Sequence, residues 1–409
     1  MRVLMFGWEY PPYATGGLAT ATQSLASGLA RFGSDVTLVV PFPADTVTGA
    51  QMGVRVMSAS SIASSLRLVR VAAPLVPYAS APTTVFGAAS TRVAQELSPY
   101  RHSLFEDVDE YARVAADLAR TYPHDVIHAH DWMAYAAARA ARAVSGKPFV
   151  AHIHATEFDR SGDWPNDEIR SRERDGLLAA DRVIANSRAT KRRVVERYGV
   201  EEDRVDVVHW GIELGEHDDA RGVSPFGPGV PVVVFLGRVV LQKGPDYFVD
   251  AAARVAAKRA DVCFVVAGAG DMLPAMLDRC VQLGIAHRTF FTGGISREDV
   301  ERLYRIATVC VMPSVSEPFG LVALESLRAG TPVIISKRAG VAEAVANLVT
   351  VDFWDVDDIA DKILAVVSDA ELRSELRERA REELDDPRLG PDEPARLTLE
   401  SYRLAMDSG

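Results

Sequence analysis

Residues 1–40 read MRVLMFGWEY PPYATGGLAT ATQSLASGLA RFGSDVTLVV, and they contain the repeating unit from which the architecture is predicted. Apolar runs at 3–6 and 36–40 enclose residues 17–32, in which apolar side chains recur at spacings of three and four. The runs are typical of strands buried on both faces, and the spacing is typical of an amphipathic helix. A strand, a helix and a second strand in this order predict a parallel sheet, and therefore an α/β protein.

Similar apolar runs follow at helix-length intervals, at 66–71, 126–130, 149–153, 183–185, 205–208, 232–236, 263–267, 309–312 and 333–335. Between them, residues 213–230 are rich in charge, glycine and proline, as is typical of a linker. We therefore predict two doubly wound, Rossmann-like domains, 1–212 and 231–390, that face each other across a cleft. Residues 391–409 contain an amphipathic stretch, which is expected to form a helix that packs back on the first domain.

The chain of 409 residues has 45 basic and 56 acidic residues and a formal net charge of −11. Such a surface repels phosphate backbones and anionic lipids, so neither nucleic acid nor a membrane is expected as a stable partner. The three cysteines include no Cys-x-x-Cys pair, and no apolar run reaches the roughly 18–20 residues that span a bilayer. These features predict a cytoplasmic protein without a disulfide framework.

Two glycines, Gly16 and Gly17, stand between the first predicted strand and its helix. Such a turn lets a ligand approach backbone N–H groups at the positive end of the helix dipole. A turn that needs glycine only for its backbone conformation remains equally open. The Gly-x-Gly-x-x-Gly spacing is missing here and after Gly268, which disfavours a nicotinamide-dependent oxidoreductase.

Two cations follow the first strand of the second predicted domain. Arg238 comes directly after Gly237, and Lys243 lies five positions further on. The planar guanidinium and the compact ammonium together suit a diphosphate, and ligands of such sheets bind at the carboxyl ends of strands. The alternative is that both are ordinary solvated surface charges.

The stretch SVSEPFGLVALE, residues 314–325, follows the predicted strand 309–312. Pro318 and Gly320 precede a helix, which places Glu317 at the loop edge and Glu325 two turns along. Carboxylates accept hydrogen bonds from sugar hydroxyls, so one glutamate is suited to a transferred sugar and the other to a ribose. A surface helix with one glutamate at its favourable N-terminal end is the alternative.

Four histidines stand at two predicted strand ends: His128 and His130 on one, His152 and His154 on the next. Alternate residues of a strand share a face, so each pair resembles metal ligands. No cysteine or third ligand at a fixed spacing joins them, which disfavours a metal site. A hydrogen bond from His154 to a substrate hydroxyl is the favoured functional interpretation, and a structural role is the alternative.

Taken together, these residues resemble the retaining glycosyltransferases of family 4, which have the GT-B fold, and more loosely the glycogen and starch synthases. The likeness extends over nearly the whole chain. Its most specific part is the pair Glu317 and Glu325, and Arg238 with Lys243 and the paired glycines supports it. Residues 152–161 are most similar to family members known as glycogen synthases.

The resemblance implies a role for each matching residue. Arg238 and Lys243 would hold the diphosphate of a nucleotide-sugar donor, and His154 would bind its sugar near the 6-hydroxyl. Glu317 would bind hydroxyls of that sugar and Glu325 the ribose, with His154, Arg238, Lys243 and Glu317 as the catalytic group. The remaining implied contacts are Gly16, Gly17, Gly237, Gly320 and Leu321 at the phosphates, Gly293, Gly294 and Ile295 at the base, and Asp131 and Trp132 at the sugar or acceptor.

The implied reaction is transfer of glucose from UDP-glucose or ADP-glucose to an α-glucan or small sugar acceptor, with retention of the anomeric configuration. Cationic side chains would replace a metal ion, and no cofactor is expected. Transfer of a hexose to a lipid or another small molecule remains open, as does a sugar-nucleotide-binding protein without activity. Bacterial glycogen and starch synthases have a lysine where this chain has Ala14. The difference disfavours specificity for ADP-glucose as the donor.

Overall fold

The computed structural model describes residues 1–10, 16–42, 56–58, 66–72, 104–212 and 222–407. These residues form two sheets, each flanked by helices, as the apolar runs predict. Ala14 and residues 213–221 of the predicted linker lie outside the described residues. In the described ranges, no helix is both long enough and apolar enough to span a membrane.

The first sheet has eight strands in the order β3-β4-β2-β1-β5-β6-β7-β8. Its strands are β1 (Arg2–Phe6), β2 (Asp35–Phe42), β3 (Val56–Ser58), β4 (Leu66–Ala72), β5 (Val126–His130), β6 (Phe149–Ile153), β7 (Arg182–Ala185) and β8 (Val205–Val207). All neighbours pair in parallel except β3 with β4, which are antiparallel. The parallel sheet was predicted, whereas the three-residue edge strand β3 was not, because so short a segment has no readable periodicity.

Helices cover both faces of this sheet. They are α1 (Gly17–Arg31), α2 (Leu104–Thr121), α3 (Trp132–Ser145), α4 (Glu157–Ser161), α5 (Asp167–Ala179) and α6 (Arg188–Arg193). A π-helical turn, Val194–Tyr198, continues α6.

The second sheet has six parallel strands in the order β11-β10-β9-β12-β13-β14, the doubly wound order of Rossmann folds. Its strands are β9 (Val232–Leu236), β10 (Cys263–Ala267), β11 (Thr289–Gly293), β12 (Val309–Met312), β13 (Val333–Ser336) and β14 (Val349–Val351). Its helices are α7 (Pro245–Lys258), α8 (Leu273–Gln282), α9 (Arg297–Ile306), α10 (Leu321–Arg328), α11 (Val356–Ser368) and α12 (Ala370–Leu384).

Each sheet reverses its winding direction at one place, and ligands of doubly wound sheets bind outside the carboxyl ends of the strands there. In the first sheet the reversal lies between β1 and β5, and in the second between β9 and β12. The segments that follow these four strands begin at Gly7, Asp131, Gly237 and Pro313. The topology thus brings the predicted site segments to two crevices.

The last helix, α13 (Glu393–Asp407), packs on α1 and on strands β6 and β7 of the first sheet. Its Tyr402 hydroxyl lies 2.9 Å from Nδ1 of His128 inside that sheet's core. Just before the predicted linker, the amide of Ile212 donates to the carbonyl of Leu389 at 2.9 Å. The end of the chain therefore returns to the first sheet after the second sheet is complete.

Candidate functional site

In the second sheet, the predicted cation and carboxylate meet. The Lys243 ammonium donates to the Glu317 carboxylate at 2.6 Å, although 74 residues separate them. Gly244, with a φ of 65°, allows this approach, since a Cβ there would lie 2.1 Å from the carbonyl oxygen of Pro313. The Arg238 guanidinium lies beside the same loop and donates to Oε1 of Gln242 at 3.2 Å. Two cations and a carboxylate thus surround the β9/β12 crevice.

Helix α10 begins at this crevice. Gly320 precedes it in a left-handed conformation, with a φ of 113° and no side-chain cap, and Leu321 is its first residue. A Cβ on Gly320 would lie 3.3 Å from both Glu317 and Val341, so the backbone passes close to the Glu317 side chain. The backbone N–H groups of a first helical turn lack intrahelical partners and favour anions. The start of α10 is therefore suited to a phosphate group.

Glu325 lies on α10 itself, and two side chains of α9 hold its carboxylate. Arg297 donates to its Oε1 at 2.7 Å, and the Tyr304 hydroxyl donates to its Oε2 at 3.3 Å. Gly293, Gly294 and Ile295 lie just before α9, at the end of β11, and a Cβ on Gly294 would meet nothing within 4 Å. The sequence interpretation missed Arg297, because an arginine at a helix start has no distinguishing signal.

In the first sheet, Asp131 follows β5 and starts the turn into α3. Of the non-glycine residues that the structure describes, Asp131 alone has a φ in the left-handed region, 58°. Its Oδ1 accepts the backbone N–H of His154 at 2.7 Å, and its Oδ2 lies 3.7 Å from the Arg160 guanidinium. Burial raises the pKa of Asp131 to about 6, against the lowering effect of Arg160 and the hydrogen bonds. Strained backbone of this kind is common at functional sites.

The His154 side chain is fixed from several directions. Its ring lies within 14° of parallel to the rings of His152 and Trp210, at centroid distances of 4.5 and 5.3 Å. Its Nε2 lies 2.9 Å from Nδ1 of His130, and its carbonyl accepts from Asn186 at 2.8 Å. Burial, followed by the charge of Arg160, lowers the pKa of His154 to about 3, so the ring is neutral at physiological pH.

The other three histidines of the two strands form a buried cluster. One nitrogen each of His128, His130 and His152 lies within 4.8 Å of the others. The structure thus brings His152 to the pair His128 and His130, and imidazole nitrogens are common ligands of zinc. Burial holds the pKa of all three well below the usual value. The absence of a metal requirement stays a prediction.

Three further predicted residues, Trp132, Gly16 and Gly17, have contrasting surroundings. Trp132 is the first residue of α3, and its side chain is only 1% exposed and packs in the core of the first sheet. A buried indole does not fit the predicted contact of Trp132 with the sugar or acceptor, and the burial is favourable because a large apolar side chain gains free energy on leaving water. Gly16 and Gly17, at the start of α1, are exposed, and a Cβ on Gly17 would meet nothing within 4 Å.

The crevices of the two sheets adjoin each other. Ser316, next to Glu317, donates to Oδ1 of Asp159 on α4 at 2.5 Å. On another side, the Glu343 carboxylate accepts the backbone N–H groups of Arg188 and Ala189 at 2.7 and 3.0 Å. These contacts place the Lys243–Glu317 pair and the His154 strand end on opposite walls of one cleft.

A buried network of hydrogen bonds around Glu173 reaches the carbonyl of Ala155, the residue after His154, and sequence reasoning did not identify it. The Arg160 guanidinium donates to Glu173 at 2.9 Å and to the carbonyl of Ala155 at 2.8 Å, and the Tyr198 hydroxyl also donates to Glu173. Burial raises the pKa of Glu173 to about 7, against the charge of Arg160. Arg160, Glu173 and Tyr198 lie on three separate helical segments, so no spacing in the sequence indicates that they form one network.

Known protein families match both parts of the chain. Residues 15–216 match the family described as Glycosyltransferase Family 4, and residues 216–383 match the family described as Glycosyl transferases group 1. The chain is 30% identical to an uncharacterized glycosyltransferase of Methanocaldococcus jannaschii, over 100% of this chain and 99% of the relative. It is 28% identical to a Mycobacterium tuberculosis glycogen synthase, over 93% of this chain and 89% of that protein.

Among solved structures, the sucrose-phosphate synthase of Thermosynechococcus elongatus is similar with a TM-score of 0.76 and 20% identity, over 100% of both chains. This likeness concerns the fold and confirms the predicted pair of Rossmann-like domains. The chain therefore belongs to glycosyltransferase family 4, and it is a glycogen synthase-like glycosyltransferase with the GT-B fold.

Proposed function

We propose that the protein is a retaining glycosyltransferase that moves glucose from UDP-glucose or ADP-glucose to an α-glucan or small sugar acceptor. The observation that carries the proposal is the ion pair between Lys243 and Glu317 at the β9/β12 crevice, beside Arg238 and the start of α10. The glycogen synthase relative supports glucose as the transferred sugar and a glucan as the acceptor.

In this proposal the cations act on the leaving group. When the bond between the anomeric carbon and the phosphate oxygen breaks, positive charge develops on the sugar ring and negative charge on the diphosphate. Arg238 and Lys243 stabilise the departing diphosphate more than the bound donor, because the additional charge exists only as the bond breaks. Lys243 exchanges its contact with Glu317 for the diphosphate, which frees the Glu317 carboxylate for hydroxyls of the sugar.

The opposite wall orients the sugar and the acceptor. His154 binds a sugar hydroxyl, and the Asp131 carboxylate accepts the backbone N–H of His154. The acceptor hydroxyl attacks the anomeric carbon from the face that the diphosphate leaves. Its proton passes to an oxygen of the departing diphosphate, so the new bond retains the anomeric configuration. Fixed cations perform the charge neutralisation, and the reaction proceeds without a metal ion.

The proposal is tested by nucleoside diphosphate release from several sugar nucleotides, each combined with maltooligosaccharides, simple sugars and lipid acceptors. Release from UDP-glucose or ADP-glucose with a glucan or small sugar, and a product of unchanged anomeric configuration by NMR, is expected. Release with a lipid acceptor alone would instead support the second enzymatic interpretation. Donor binding without release in any combination would refute transfer. Loss of activity in EDTA with recovery in Mg²⁺ would refute the metal-free scheme.

A variant pair connects this activity to the site. Lys243→Ala is expected to lower kcat/KM by about 100-fold or more, since it removes one fixed charge from the leaving group. Lys258→Ala is the matched control, because Lys258 is an exposed lysine on α7 that pairs with Asp361 at 2.8 Å. The control is expected to retain activity within about twofold. Equal activity of the two variants would contradict the assigned role of Lys243.

A further inference from the structure

The hydrogen bond between His130 and His154 links two rings of the first sheet. His130 is the last residue of β5, and His154 follows the last residue of β6, the next strand. Nδ1 of His130 lies 2.9 Å from Nε2 of His154. His130 is completely buried, so it does not itself reach a substrate.

The charge state of the two rings limits where the N–H hydrogens of His130 and His154 can be. Burial, followed by the nearby His154 ring, holds the pKa of His130 well below its usual value, and the pKa of His154 is lowered to about 3. Both rings are therefore neutral, and a neutral imidazole has one N–H donor and one acceptor nitrogen. The shared hydrogen bond needs one donor and one acceptor, so the hydrogen positions of the two rings depend on each other.

Two arrangements satisfy this constraint, and they differ in what remains at Nε2 of His130. That atom is buried and has no hydrogen-bond partner. If His130 accepts at Nδ1, its only hydrogen sits at Nε2 as an unpaired buried donor. If His130 donates from Nδ1, only a lone pair is left unpaired there. Unpaired buried N–H groups are rarer in proteins than incompletely paired acceptors, which favours the second arrangement.

We infer that His130 is a positioning residue that donates its Nδ1–H to Nε2 of His154, so that His154 exists as the Nδ1–H tautomer. The remaining nitrogen of His154 is then a hydrogen-bond donor. Its ligand is an oxygen lone pair, such as that of a sugar hydroxyl, whose own hydrogen stays free to bond elsewhere. This last step rests on the proposed function, whereas the tautomer itself does not.

The surroundings of His154 keep this donor in place. The parallel rings of His152 and Trp210 prevent the His154 ring from turning edge-on. Asp131 and Asn186 hold the backbone N–H and carbonyl of the same residue, at 2.7 and 2.8 Å. With the backbone and the ring plane both fixed, the partner at Nε2 decides which nitrogen carries the hydrogen.

The tautomer is measured directly by two-bond ¹H–¹⁵N NMR on protein labelled at its nine histidines. Single substitutions at His130 and His154 assign the two sets of signals. We expect both rings to be neutral near pH 7, with the hydrogen on Nδ1 in each. An Nε2–H pattern for His154, or a charged ring, would overturn the inference. This result does not depend on activity, so it stands apart from any failure of the proposed function.

Enzyme kinetics test the positioning role in the folded enzyme. His130→Phe keeps an aromatic ring but removes the donor, and we expect kcat to fall by about 10–100-fold with little change in the KM for the nucleotide donor. His130→Asn keeps an N–H near the position of Nδ1 and is expected to recover most of kcat.

His128→Phe is the matched control, because His128 is equally buried on the same strand face but bonds to Tyr402. It is expected to lower the melting temperature while leaving kcat within about twofold. Equal kcat for His130→Phe and His130→Asn, or an equal loss in His128→Phe, would show that His130 acts only through packing and would overturn the inference.

Discussion

Replacing Asp131 by asparagine removes the one titrating group that the strained turn after β5 contains, while keeping an oxygen for the His154 N–H. Asp131 is 4% exposed, and burial raises the pKa of its carboxyl group from 3.8 to about 6 in the folded protein. Because the folded state holds this proton more tightly than the unfolded state, the carboxyl group favours folding at low pH. That contribution is lost as the pH rises from about 4 through about 6.

The pH-dependent change in the free energy of unfolding follows from the pKa values of Asp131 in the unfolded and folded protein. The full difference corresponds to about 3 kcal/mol, of which about 2 kcal/mol falls between about pH 4.5 and about pH 8. In a domain of this size that amounts to about 4–8 °C in melting temperature. Asp131→Asn lacks the titrating group, so its melting temperature relative to the wild type is expected to rise by this amount over the same pH range.

Differential scanning calorimetry of both proteins at the two pH values measures the effect. Asp117→Asn is the matched control, since the Asp117 side chain is 80% exposed on α2, and its melting temperature is expected to follow that of the wild type. A wild-type minus Asp131→Asn difference that does not change with pH, or that changes in the opposite direction, would refute the reasoning. The same variant is expected to lose activity, because the carboxylate that holds the backbone N–H of His154 is replaced by a neutral amide.

Two further predictions concern the contact of Arg297 with Glu325 in the second sheet and the close packing of Gly211 against Gly390. Arg297→Ala removes the ion pair that holds Glu325 and is expected to raise the KM for the nucleotide donor about tenfold, equivalent to about 1.4 kcal/mol, with kcat little changed. Arg302→Ala on the same helix is its control, and equal KM values would contradict the role. Gly211→Ala would place a Cβ 1.9 Å from the carbonyl oxygen of Gly390, and is expected to cost about 2–3 kcal/mol and lower the melting temperature by about 5–10 °C. An unchanged melting temperature would show that Gly211 and Gly390 are not tightly packed.

The sequence by itself determined the fold class and most of the strands, whereas β3, β11 and β14 were not predicted. Apolar runs and helical spacing are local properties, so β1, α1 and β2 are visible in the first 42 residues, and the doubly wound class follows from their alternation. Candidate site residues such as Asp131 and Arg238 were likewise visible, because charged and polar groups directly after strands lie at the edge where such sheets bind ligands, whereas Arg297 was not. The likeness to family 4 was visible for the same reason.

Only the tertiary structure decided which of these groups meet. Lys243 pairs with Glu317 across 74 residues, and Arg297 pairs with Glu325 across 28, through strand orders that no spacing reports. It also decided that Trp132 is buried and that His130 touches His154. The physical reason is that a side chain's partners and its degree of burial depend on how separate elements pack together, whereas sequence patterns report only which elements form.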